Sequence, residues 1–399
     1  MINEKMRELG AKRSVIRELF EYGKKRKAEI GVENVFDFSL GNPSVAAPDA
    51  VNAELIRLIT ECDPVALHGY TSAQGDKSVR DAIAEYINST QDECVTGDCL
   101  YMTVGAAGAL TTVLTAIVSP GEEVVIPAPY FPEYKVFTER CGGIVKAALC
   151  DPETMDLDIK TIEAAISENC AAIIINSPNN PTGKVYAEES IKKLCKLLSA
   201  KQKEYGHPIY LISDEPYREL VYGDVKVPYL TKYYNNTIVC YSFSKSLSLP
   251  GERIGYVLVS PRVDDFTAVY QAVCGAGRAL GFVCAPSLLQ KLIPSCLGVT
   301  ADIAIYNKNR KLLTDALASF GYEFVSPDGA FYLFVKAPAM DANEFCERAK
   351  KYEILIVPSD DFGAPGYARI SYCVSTEQIE RSLNAFEKLA RSYENGITE

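Results

Sequence analysis

Histidine is nearly absent from this chain: of 399 residues only His68 and His207 are histidines, and no cysteine pair stands near either at zinc spacing. Serine-protease chemistry and imidazole-based metal chemistry therefore lack their central residue type, and no metal site is expected. The 13 cysteines are scattered, odd in number and without any Cys-x-x-Cys pair, which excludes a disulfide framework and points to a reducing, cytoplasmic compartment. No apolar run reaches about 18 residues, the minimum for a membrane span. The first 31 residues lack the apolar stretch of a signal peptide and place Val15, Ile16, Leu19 and Phe20 on a helix-like repeat instead. Positive charge is also in deficit. With 41 Lys plus Arg against 52 Asp plus Glu, the formal charge is -11, so the mean surface field repels polyanions. Neither nucleic acid nor a membrane is expected as a partner.

What is present is an ordinary folded composition, 48% hydrophobic and 23% charged. The length suggests two or three domains at roughly 150 residues each. Between residues 100 and 260 short apolar runs alternate with helical patterns, the signature of a parallel sheet with crossover helices. The strand candidates are 100–104, 123–127, 143–148, 171–176, 208–213, 237–242 and 254–260. Most are apolar on both faces, as buried parallel strands are. Apolar residues return at helical spacing over 76–88, 107–118, 132–141, 160–169 and 188–205. From about residue 287 the pattern changes to long charged helices flanking 330–335 and 367–372. The fold class read from this is α/β, a mostly parallel central sheet with helices on both faces, plus a smaller α+β domain. The expected division is an N-terminal arm with part of the small domain over 1–48, a large domain over 49–286, and a C-terminal small domain over 287–399.

Lys245, in Ser242-Phe243-Ser244-Lys245, follows the apolar run 237–241 and so falls just past the carboxyl end of a strand, where open α/β sheets build their sites. A lysine desolvated there has a lowered pKa and becomes a nucleophile toward an aldehyde. Asp214 closes another apolar run, and Tyr217 lies three residues on, a spacing that lets both point into one cleft. Taken singly, these residues also suit a surface lysine, a helix cap and a core ring.

Five separated motifs occur together: Gly105 after a strand, Asn180-Pro181-Thr182-Gly183, Asp214 with Tyr217, Ser242 to Lys245, and Arg253-Ile254-Gly255-Tyr256. With them the chain resembles the fold-type I pyridoxal 5′-phosphate enzymes of the class I/II aminotransferase family, like aspartate aminotransferase, from about Phe38 to Arg369. The resemblance implies that Lys245 carries the cofactor as a Schiff base, the internal aldimine, and that 49–286 is the cofactor-binding domain. It implies that Asp214 faces the pyridine nitrogen and keeps the ring protonated, making it an electron sink. Tyr217 and Asn180 donate to the phenolic oxygen. The phosphate falls to the backbone of Gly105, Ala106 and Ala107 at a helix start, with Ser242, Ser244 and Arg253. Phe131 stacks on the ring, with Tyr130 as the alternative one register away. Tyr70 matches a tyrosine that reaches the neighbouring subunit's phosphate, which implies a homodimer with shared active sites.

For the substrate, the resemblance assigns the α-carboxylate to Arg369, whose planar fork makes two hydrogen bonds, with Gly41, Asn42 and Asn180 nearby. Departures from the family pattern are Pro250, Gly251 and Glu252 ahead of the phosphate arginine. Arg278 stands near where dicarboxylate-specific relatives place an arginine, without their Ser-Asn-Pro pattern. Aromatic stretches near Tyr22 and Phe131 hint at apolar or aromatic substrates. The implied activity is amino-group transfer between an L-amino acid and a 2-oxo acid in ping-pong order. A β-eliminating lyase acting on cysteine conjugates would use the same residues, because both reactions share the Cα carbanion. A non-catalytic sensing domain is the remaining alternative, but the chain has no added basic helix-turn-helix segment.

Overall fold

The structure, a computed structural model, describes residues 2–11 and 15–394. Residues 1, 12–14 and 395–399 of the expected terminal segments lie outside the described residues. All seven strand candidates form one sheet: β1 Leu100–Thr103, β2 Glu123–Ala128, β3 Ile144–Leu149, β4 Cys170–Asn176, β5 Tyr210–Asp214, β6 Thr237–Ser242 and β7 Gly255–Val259. Isoleucine and valine dominate them, as in Ile173, Ile174 and Ile175 of β4, because branched side chains fit a pleated surface packed on both faces. The order is β1-β7-β6-β5-β4-β2-β3. The pairs from β6 across to β3 are parallel, while β7 runs antiparallel to both β6 and β1. β3 departs from the doubly buried expectation. It lies at the sheet edge with Ile144 and Leu149 exposed and Lys146 paired to Glu123 at 3.1 Å, a charged edge of the kind that discourages pairing with another chain.

Helices cover both faces. One face packs Ala109, Val113 and Leu114 of the helix Gly105–Ile117 against Ile174, Ile212 and Cys240. The other packs Ile83 and Ile87 of the helix Lys77–Gln91 against Val239, Tyr241 and Leu258. Asp76 caps that second helix by accepting from the amide of Ser78 at 2.9 Å, which starts it one residue past the expected point. The candidate helix 160–169 ends early, at Ala165: Ile166 is extended, and residues 167–169 turn the chain into β4.

The remaining strands, β8 Tyr332–Lys336, β9 Val357–Pro358 and β10 Tyr367–Ser371, make an antiparallel sheet in the order β9-β10-β8. The segment Phe36–Asp37 pairs in parallel with Ile354–Leu355, so the beginning of the chain is stitched to its end. Phe38, fully buried between Phe386 and its neighbours, secures that junction; burial of such a ring contributes about 2–3 kcal/mol. The core around β8 and β10 also takes in Tyr217 and Leu220, which follow β5. The helix Ser287–Leu292 instead joins the core formed with Val51 and Leu58 against the large sheet.

Candidate active site

Parallel strands point alternate side chains to opposite faces. The register sets Asn176 beside Asp214, and Asp214 beside Cys240, two residues before Ser242. Asn176, Asp214 and Ser242 therefore emerge from one face at neighbouring strand ends, into a cavity of about 360 Å³. Ala106, Ala107, Phe131, Asn180, Tyr217, Ser244, Lys245, Arg253 and Arg369 line the same cavity, together with Gly41.

Lys245 sits on the short helix Phe243–Ser246, which Ser242 caps by accepting from the amide of Ser244 at 3.2 Å. Its Nζ donates to the carbonyl of Gly41 at 2.7 Å and lies 5.3 Å from the ring of Phe331. Burial lowers its pKa to about 8, helped by the positive charges of Arg253 and Arg369. The amine is thus far closer to its nucleophilic form at neutral pH than a solvated lysine.

Asp214 is buried, and its Oδ2 accepts from the hydroxyl of Tyr134. Its Oδ1 has no hydrogen-bond partner among the described residues. Loss of hydration pushes the carboxyl up to about 7, Tyr134 opposing the rise and Glu215 adding to it. Asn176 fixes the backbone here, donating to the Asp214 carbonyl at 3.0 Å and accepting from the amide of Asn180 at 2.7 Å. Tyr217 shares a 2.9 Å hydrogen bond with the hydroxyl of Tyr332.

Arg369, buried on β10, reaches across from the smaller sheet. It donates to Asn180 Oδ1 at 3.1 Å and to the carbonyl of Ser39 at 2.7 Å, between the rings of Tyr332 and Phe362. Its Nε has no partner among the described residues. A buried guanidinium with no carboxylate bonded to it calls for an anionic ligand.

Gly105 adopts φ +80°, and a Cβ there would lie 2.9 Å from Arg253 Nη2. The missing side chain leaves open the space between the first amides of the helix and the guanidinium. Arg253 holds φ +55° and donates to the carbonyl of Pro250 at 3.1 Å. Ser242 and Ser244 share a 2.8 Å hydrogen bond beside it. Helix amides, two hydroxyls and a guanidinium make a donor set suited to a phosphate.

Several expected residues sit elsewhere. Tyr130 is buried against Gly363 with its amide bonded to the Phe362 carbonyl, so Phe131 alone of that pair lines the cavity. Asn42 is exposed, and Arg278 is exposed near the end of the helix Phe266–Ala279; neither lines the cavity, while Tyr70, expected at the neighbouring subunit's phosphate, is 90% exposed. Tyr22 is exposed under Lys350 and also lies apart from it. Conversely, Asn176, Tyr134 and Tyr332 belong to the site without having been singled out. Asn176 carried a signal: like Asp214 and Ser242, it is the polar residue that ends an apolar strand.

The donors therefore fit a phosphorylated, cationic-ring cofactor: an open carboxylate oxygen at Asp214, a cradle at Gly105 and a desolvated amine at Lys245. They define the class of fold-type I pyridoxal 5′-phosphate enzymes. The family model for aminotransferase class I and II matches residues 33–386. The chain belongs to that family, and is accordingly an aminotransferase with pyridoxal 5′-phosphate as its cofactor. Among solved structures, an amino transferase from Eubacterium rectale is 56% identical, with a TM-score of 0.97 over 98% of this chain and 99% of that one. The aspartate aminotransferase of Thermotoga maritima has a TM-score of 0.86 at 27% identity, covering 97% and 99% of the two chains. The aspartate aminotransferase of Pyrococcus horikoshii is 30% identical over 94% of each chain.

Proposed function

We propose that this aminotransferase exchanges an amino group between an L-amino acid and a 2-oxo acid in ping-pong order, with Lys245 as nucleophile and general base. The observation that carries this assignment is the desolvated Lys245 amine in one cavity with Asp214, Arg253 and Arg369. Bound there, the cofactor supplies an aldehyde for amines and a ring that withdraws electrons from the substrate's Cα. Asp214 Oδ1 would accept from the ring nitrogen and keep its proton in place. Tyr217 and Asn180 would present donors to the ring oxygen, and Phe131 would cover the ring face. Gly105, Ala106, Ala107, Ser242, Ser244 and Arg253 would hold the phosphate. Arg369 would grip the α-carboxylate, aided by Asn180 and the backbone of Gly41, which line the same cavity. As a free amine in this cavity, Lys245 Nζ would remove the Cα proton, a role that requires a base within hydrogen-bond reach of that carbon.

The relatives described above are named for amino-group transfer, which favours that outcome over β-elimination. Two are named for aspartate, yet Ile16, Leu40, Leu110 and Phe137 make this wall apolar, and the half-buried Glu133 adds a negative group. An apolar donor side chain fits it better than an acidic one. Lys245→Ala should reduce turnover with the best donor by about 10⁴-fold or more. A panel of leucine, phenylalanine, alanine and aspartate, each with a 2-oxo acid acceptor, ranks the donors. Unchanged turnover in Lys245→Ala would refute its assignment, and pyruvate released from cystathionine without an acceptor would refute transfer.

The division into 1–48, 49–286 and 287–399 is part of the same reading, with the stretch from Ser287 to Leu292 packing back onto the large unit. So is a homodimer: Tyr70 is 90% exposed, and Ile56, Ile59 and Val65, on the two helices that precede it, are 64%, 60% and 81% exposed, apolar groups that a second copy would cover. Sedimentation at micromolar concentration tests it. All 13 cysteines are free, which supports a cytoplasmic location.

A further inference from the structure

Behind the strand ends that carry Asp214 and Ser242, on the opposite face of the sheet, lies a second cavity of about 360 Å³. Its wall is built of aromatic rings: Tyr86, Tyr229, Tyr241, Phe243 and Tyr256. Tyr241 stacks on Tyr256 with centroids 4.9 Å apart and meets Phe243 edge-on at 5.0 Å. Among the rings stands Glu219. Tyr241 donates to its Oε1 at 2.9 Å, while its Oε2 is enclosed and has no hydrogen-bond partner among the described residues. The hydroxyl of Tyr229, a residue only 4% exposed, is likewise without a partner.

The cavity wall carries two acids, Glu215 and Glu219, and two bases, Arg218 and Lys226, but they are not evenly paired. Arg218 is the nearest cation, but its Nε is bonded to Glu215, its two terminal nitrogens to the carbonyls of Val227 and Pro228, and its plane lies over Tyr229. Glu215 is closed in turn by the hydroxyl of Ser213 at 2.6 Å. Glu219 is left as an acceptor without a cation bonded to it, and burial holds its carboxyl above the usual range. Lys226 lines the mouth but is exposed.

We propose that this cavity is a binding site for a small organic ammonium ion, its N–H donated to Glu219 Oε2 and its alkyl groups held against the tyrosine faces. Aromatic faces attract a cation through the ring quadrupole, and more strongly in a desolvated site. An enclosed carboxylate oxygen adds the directional, charge-assisted hydrogen bond that rings alone do not provide. The site is separate from the reaction cavity and does not depend on the roles given to Lys245 or Arg369.

Trimethylammonium is the probe of choice on the cofactor-loaded enzyme. It carries one N–H and, as a tertiary amine, cannot condense with the cofactor's aldehyde. Titration calorimetry against matched sodium chloride should show one site per chain. Tetramethylammonium, which lacks the N–H, should bind at least tenfold more weakly. Glu219→Gln should weaken trimethylammonium by tenfold or more. Thr90→Trp, an exposed position on the cavity wall, should block entry without touching the carboxylate. Absence of binding to the parent enzyme overturns the proposal. So does equal affinity in the parent and in a folded Glu219→Gln or Thr90→Trp variant, because the ion would then be held elsewhere.

Discussion

Asp214 and Glu215 are adjacent residues at the end of one strand, both buried, yet they face opposite sides of the sheet and are treated differently. Glu215 has both oxygens engaged, one by Ser213 and one by Arg218. Asp214 keeps one oxygen empty and its carboxyl pushed up to about 7. A buried charge is normally paired, because leaving it bare costs several kcal/mol. The saturated carboxylate is therefore framework, and the bare one is an address for something that arrives from outside the chain.

The largest effect expected from breaking this contrast is at Asp214. Asp214→Asn keeps the shape and removes the charge, and should lower transamination by about 10³-fold, the scale of one lost electrostatic stabiliser. In the cofactor-free protein the same change should help. The folded carboxyl holds its proton up to about pH 7, against about 3.9 in an unfolded chain. The folded state is thus burdened increasingly as pH rises from about 4 to 7, and fully above that, by on the order of 4 kcal/mol. Urea midpoints should fall from pH 5 to 8 for the parent apoprotein and stay level for the variant. A parallel fall in both would show that Asp214 is not the bare group.

Next in size is Arg369→Lys, which retains charge but loses the planar fork, and should cost about 100-fold in kcat/KM, mostly through KM. An unchanged KM would mean that the α-carboxylate binds elsewhere. Gly105→Ala puts a methyl into the space beside Arg253 at a positive φ, and should weaken cofactor retention roughly tenfold in equilibrium dialysis. Smallest on turnover is Glu215→Gln: less than about threefold in kcat for the folded enzyme, with a loss of about 3 kcal/mol in urea stability from the broken pair with Arg218. A larger drop in turnover than in stability would erase the distinction between the two carboxylates.

Much of this was legible in the sequence because it is local. Apolar runs of strand length marked all seven strands of the large sheet, and polar residues at their ends marked Lys245, Asp214 and Ser242. The direction of β7 was not legible, since alternation reads the same either way along a strand. Tyr332 and Tyr134 also escaped. Tyr332 meets Tyr217 across 115 positions, and Tyr134 lay inside a helical pattern that its ring satisfies equally well as core. Asn176 was within reach of the strand-end rule that found Asp214. Asn42 and Tyr70 show the opposite limit: a motif names a residue, whereas a single chain leaves both in solvent.

Arg253 holds a backbone conformation, φ +55°, that costs an ordinary residue about 1 kcal/mol and glycine almost nothing. An engineer ranking positions for thermostability would therefore find Arg253→Gly attractive. The exchange would relax the turn and discard the guanidinium beside Gly105, giving a sturdier protein without the cation proposed to hold the phosphate. Stability screens run without cofactor would select that error, so hardening of this enzyme should be scored only on the loaded form.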